Sequence, residues 1–543
     1  MGDAASPALA LRDLRRARHH RHRDDVDWVE TLYRVYVTVL SGAAVIWLSV
    51  SRVTDASARP GGLADIRDHG AAVLGLVVAF LVALGLRSGS RGGPLSLEAA
   101  DVRIVLLAPL RRHLALRAPA LHQLRSVAFA GLCVGAVVGN LAGHRLPGEF
   151  FGWVAADAGF GILAAVLSVG AALLACGLRF TRPVGTAVSV AVLAWSAADL
   201  VAGTATSPLT LAGRIGLAPL PGEGGSISGG PVPVAIAVGV VLAVALLAVA
   251  AARLGSMSLE AAERRGRLAA QLRFALSLQD LRAVVLLRRR LAAEEPRPRP
   301  WISVPSRASR SGRFGGPSAA VRRRGLQSVL RWPATRILRV TGLGIVAGFA
   351  AGGAWNGTTP LLVVSGAALF VAALDALEPL AQEMDHPTRR DSFPVPPGQL
   401  ATAALIVPAI VLAVTTGIGV GVAIAVLGVP AAPLLVAVIP ATAAAVAGGA
   451  ASLILEPVSA AELMSRYPVP EAAGPVLVAR LGFAPGLAIA GWLPLLAGRA
   501  VLDEGLSPGS AVFQSGIALV GLSILVVRAL CAHFERKRAV PEP

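Results

Sequence analysis

Apolar residues along this chain gather into twelve runs, at about 35–53, 70–86, 127–143, 154–178, 184–203, 232–252, 337–355, 358–377, 401–427, 431–455, 475–498 and 510–530. Each is near the roughly 20 residues a helix needs to cross the hydrocarbon of a bilayer. The runs are continuous in Ala, Val, Leu and Gly and lack the alternation of a membrane strand, so they predict helices and not a barrel. Six precede residue 253 and six follow residue 336. The predicted fold is an all-α polytopic membrane protein of about twelve transmembrane helices in a 6+6, pseudo-dimeric arrangement. Its parts are a basic leader with an approach helix (1–34), a first six-span unit (35–252), a basic linker (253–336), a second six-span unit (337–530) and a tail (531–543).

The polar positions between runs repeat as well. The second run of each set is followed by a Pro-punctuated segment, Leu106-Leu107-Ala108-Pro109-Leu110-Arg111-Arg112 in the first half and Ser392-Phe393-Pro394-Val395-Pro396-Pro397 in the second. In the linker, Leu259 to Ala293 places Leu268, Leu272, Leu276, Leu281 and Val285 at helical spacing and ends in Arg288-Arg289-Arg290. That pattern fits a helix lying on anionic lipid headgroups or against a partner. Glu294 to Pro317 reads as flexible. A second amphipathic stretch, Val321 to Leu338, leads into the seventh run as Asp27 to Tyr36 leads into the first.

Composition agrees with burial in lipid: 55% of residues are hydrophobic and the mean hydropathy is +0.67. The net charge of +18 would imply nucleic acid in a soluble chain. Here the arginines sit in alternate connections, which fits retention of basic loops on the cytoplasmic side, with no nucleic-acid partner expected. The leader, the 87–126 connection, the linker with 19 arginines against five acids, and Arg536-Lys537-Arg538 all fall on that side. The expected topology is a multi-pass protein of the plasma membrane with both termini cytoplasmic.

The chemistry that is absent narrows the function. A P-loop needs a lysine behind glycine-rich backbone, and the single lysine of the chain, Lys537, has neither setting. ATP hydrolysis by this chain is therefore not expected. Ionisable residues within the runs are few: Asp157 and Asp199 near outer ends, Arg339 and Arg480 near inner ends. They read as interfacial or helix-to-helix pairs before they read as ion-coupling groups. His19, His20 and His22 alternate with arginines and belong to a solvated basic tail, and Cys133, Cys176 and Cys531 are not placed to bridge. No metal, cofactor or catalytic group is expected. Gly131 with Gly135, and Gly342 to Gly348, permit close helix approach, while Pro408, Pro440, Pro485 and Pro494 permit bends.

The string Leu107-Ala108-Pro109-Leu110-Arg111-Arg112 resembles the Leu-x-Pro-(Val/Leu)-x-Arg signature of the membrane subunits of ABC-2-type exporters. Those subunits carry six spans, an amphipathic approach helix and a short cytoplasmic coupling helix between the second and third spans. The resemblance implies a permease that docks two copies of a separate ABC ATPase under 95–124 and 378–400. Leu107, Pro109, Leu110, Arg111 and Arg112 would form one coupling site, and Glu378, Pro379, Phe393 and Pro394 the other. Pro396-Pro397-Gly398 stand where arginines are expected in the second site, and Glu378, Glu383, Asp385 and Asp391 give it the opposite charge. Two other readings stay open: a secondary transporter with two six-helix repeats, and a non-transporting membrane scaffold.

Overall fold

The structure, a computed structural model, describes residues 60–95, 112–220, 232–258, 300–302, 316–385, 395–455, 482–502 and 507–539, together with Glu260, Glu263 and Gly266. Among these residues it is all-helical, with no strand. Ten helices are long and apolar enough to cross a membrane, or eleven if one bent pair counts as a single span. This is a multi-pass helical membrane protein. The predicted run 35–53, the approach stretch 27–36 and most of the linker lie outside the described residues. The chain divides into two compact units, Met1–Arg273 and Phe274–Pro543.

In the first unit, α1 (Pro60–Gly89), α2 (Arg112–Gly143), α3 (Phe150–Gly177), α4 (Arg182–Ala202) and α6 (Val232–Arg253) have spanning length. Between α4 and α6 the short α5 (Pro208–Gly213) runs into a 3-10 turn, Arg214–Leu217, and both pack on α1. The centre of the unit is α3, 61% buried along its apolar window, which packs against α1, α2 and α6. Lipid offers helices no gain from hiding apolar surface, so close backbone approach carries their association. Gly131, Gly135 and Gly139, four residues apart on α2, provide it. A Cβ at Gly135 would stand 3.0 Å from the Cα of Ala158, and one at Gly139 2.8 Å from the carbonyl carbon of Trp153.

The second unit opens with the surface helix α7 (Pro317–Leu330). It continues with α8 (Ala334–Trp355), α9 (Leu361–Ala376), α10 (Glu378–Asp385), α11 (Pro397–Leu427) and α12 (Ala431–Ile454). The span Gly482–Ala500 ends in α13 (Pro494–Ala500), and α14 (Pro508–Ala539) closes the unit. Here the buried centre is α12, at 78%, packed against α9, α11 and α14.

Three predicted spans differ in form. The third begins at Arg112 and not near 127, because Pro119 is accommodated inside a continuous helix. The eighth is only 16 residues as α9 and then bends by 55° into α10. The eleventh is interrupted at residues 491–493, where Pro494 starts its second piece. Pro408 and Pro440 lie inside the continuous helices α11 and α12.

Candidate functional site

The densest set of charges among the described residues joins α7, α8, α9 and α10 at one end of the second unit. Its geometry starts at two prolines. Pro333 ends α7's course through an extended Trp332-Pro333 link, from which α8 departs at Ala334. Arg336 and Arg339, three residues apart, then share one face of the first turns of α8. Across from them, Pro379 stands in the first turn of α10. It has no N–H, so the carbonyl of Asp375, four residues earlier, loses its helical donor and the chain bends there.

Arg336 supplies what the proline removed. Its guanidinium donates to the Asp375 carbonyl and, in the same reach, to the Glu378 carboxylate, and it lies over the Trp332 ring with 4.4 Å to the centroid. Arg339 Nε meets Asp375 Oδ2 at 2.5 Å, and Arg324 Nη1 on α7 meets Glu383 Oε1 at 3.0 Å. The acids at 375 and 378 therefore match the arginines at 336 and 339 in antiparallel register. The Arg336 to Glu378 pair is mostly shielded from solvent, so loss of either member strands a charge. The outer two pairs use half-exposed arginines and contribute less. The result is a cross-brace that ties the bent α10 and the end of α9 to the start of α8 and the middle of α7. Motion of α10 must carry α8 with it or break these bonds.

This arrangement revises the charge expected of the second coupling site. Glu378 faces Arg336, and Glu383 is buried against Arg324, so these acids are engaged within the chain and do not form an open acidic surface. Pro379 acts on the bend. Arg112 is the exposed first residue of α2. Leu107, Pro109, Leu110, Arg111, Phe393, Pro394 and Arg480 lie outside the described residues, as does Asp391. Asp375 was missing from the sequence reading. Its signal is an acid at the end of the run 358–377, facing an arginine just inside the start of the run before it.

The two intramembrane acids of the first unit have separate environments. Asp199, near the end of α4, accepts from Thr206 N at 3.1 Å, Thr206 Oγ1 at 2.5 Å, Thr204 Oγ1 at 3.2 Å and Ser207 N at 2.8 Å. It holds the reversal that delivers Ser207 to the N-terminus of α5, where the Ser207 hydroxyl accepts from Thr210 N at 3.0 Å. Asp157, on α3, is 4% exposed and lies against the 3-10 turn, where a Cβ at Gly216 would stand 3.0 Å from its Oδ1. Among the described residues no hydrogen bond or ion pair reaches its carboxylate, and none joins it to Asp199.

No group of three or more metal-ligating side chains forms among the described residues. No family model, curated protein sequence or solved structure matches this chain.

Proposed function

We propose that this chain is the permease of an ABC-type exporter of the ABC-2 kind, two six-span units fused in one polypeptide. It sits in a bacterial cytoplasmic membrane with both termini inside and moves its substrate with ATP hydrolysed by two copies of a separate subunit. The observation that carries the reading is the shared plan of the two units. Counted from the predicted runs, the central helix of each is the fourth, and it packs against the second, third and sixth in both. A duplicated unit with a common centre suits a body that rocks between two access states. The braced bend of α10 supports coupling, since it follows the second span at the place where Pro109 follows it in the other half. Driving force must come from elsewhere, because the only lysine has no phosphate-cradling loop.

The test is purification of the tagged full chain from membranes of its own host, assayed for bound ATPase. ATP hydrolysis should co-purify and should be lost with the double substitution Arg111→Glu, Arg112→Glu, while insertion is unchanged. Purification without any ATPase, or equal ATPase in the double variant, refutes the assignment.

One observation favours the secondary transporter instead: Asp157 is a buried carboxylate with no bonding group among the described residues, the kind of residue that ion-coupled carriers keep despite its cost. Flux that runs without ATPase and stops when the proton gradient is collapsed decides for that reading.

A further inference from the structure

The corner where α7 and α8 meet α11 holds a half-open cavity of about 210 Å³ whose walls are Val329, Leu330, Ile337, Val340 and Val411, together with two tryptophans, Thr341 and Thr415. Trp301 is latched over it from the linker. Its backbone N–H donates to Leu330 O at 2.9 Å and its indole N–H to Trp332 O at 2.7 Å, yet the residue remains 48% exposed. Trp332 is the opposite case. Only 4% of it is exposed, it lines the cavity, and its indole N–H is buried with no hydrogen-bond acceptor among the described residues. A buried donor left unmet costs about 1–3 kcal/mol, and nothing on the apolar walls can meet it. The two hydroxyls of the lining, Thr341 and Thr415, do not accept from it, and Thr415 Oγ1 donates to Val411 O and Leu412 O of its own helix.

The surroundings indicate what carries the missing acceptor. Arg331, between the lining residues Leu330 and Trp332, is exposed. Leu338 and Leu326 are exposed beside the corner, a lipid-facing apolar rim next to cationic groups. A half-exposed tryptophan, Trp301, and an exposed arginine, Arg331, beside an apolar cleft are the pattern of a membrane interface.

We infer that this cavity binds one anionic phospholipid of the adjoining leaflet. The upper part of an acyl chain fills the apolar cleft, an ester or phosphate oxygen accepts from the Trp332 indole, and Arg331 faces the phosphate. The site requires only that the chain spans a membrane, so it stands or falls separately from the exporter reading.

Native mass spectrometry of the full chain in detergent, titrated with phosphatidylglycerol or phosphatidylcholine, tests it. The wild type should retain one phosphatidylglycerol in preference to phosphatidylcholine. Trp332→Phe, which keeps the ring and removes the donor, should weaken retention about tenfold, and Arg331→Gln should reduce the preference between the two lipids. Ile337→Trp, at the exposed rim, fills the cleft without touching the donor and should abolish the bound lipid while the melting temperature is kept. Arg182→Gln, in the other unit, should change nothing. Equal retention of both lipids by the wild type, unchanged retention in Trp332→Phe or Ile337→Trp, or displacement of the lipid by inorganic phosphate would overturn the assignment.

Discussion

Two glycines one turn-fraction apart on α8 give opposite predictions, because only one of them meets another helix. A Cβ added at Gly344 would stand 2.6 Å from the carbonyl oxygen of Thr415 on α11 and 2.7 Å from its carbonyl carbon, whereas one added at Gly342 meets nothing within 4 Å. Ordinary contact begins at 3.4 Å, so Gly344→Ala must open the seam by 3.4 less 2.6, or 0.8 Å, against backbone that has no rotamer to yield. Both substitutions gain the same helix propensity, about 1 kcal/mol over glycine. The difference between them therefore isolates overpacking, about 1–3 kcal/mol. At about 2–4 °C per kcal/mol for a domain of this size, Gly344→Ala should melt about 5 °C below Gly342→Ala, measured by thermal scanning of the purified protein in one detergent. Leucine at the two sites should widen the gap: Gly342→Leu accepted toward lipid, Gly344→Leu not recoverable as folded protein. If the two alanine variants melt together, the α8 to α11 seam is not packed as described.

Arg336→Met leaves Glu378 and the Asp375 carbonyl without their shared donor and should cost about 3 kcal/mol; Arg336→Lys, which cannot reach both acceptors at once, should recover only part of it in the same melting assay. Asp157→Asn removes a buried carboxylate that no group among the described residues compensates, so the variant should be more stable than the wild type by about 1 kcal/mol or more and still support ATP-driven flux; loss of flux would make Asp157 a working ion site. Cysteines placed at Ser226 and Ser309 should react with an impermeant maleimide from opposite faces of the membrane, and reaction of both from one face contradicts the assigned orientation.

The membrane-length helices were legible in the sequence because lipid leaves a spanning backbone no outside hydrogen-bond acceptor, so each crossing must be written as one continuous apolar run. That constraint is local, and eleven of the twelve runs coincide with helices or a bent helix pair, the run 35–53 lying outside the described residues. What a run does not record is which of its faces meets another helix. Gly342, Gly344 and Gly348 are equivalent as letters, yet Gly342 looks into open space while Gly344 and Gly348 are pressed onto α11. Asp157 and Asp199 look alike in the same way, both acids near span ends. Asp199 is satisfied by a loop of its own chain, and Asp157 lies against a turn to which it makes no hydrogen bond among the described residues. Glu378 and Pro379 read as a surface for another protein, and only the approach of α8 showed that the proline frees a carbonyl and that Arg336 fills the vacancy. Helix rotation and register decide such pairings, and they are set by close packing between segments tens of residues apart. The spans were therefore written along the chain, while the roles of their few polar side chains were decided only when the helices met.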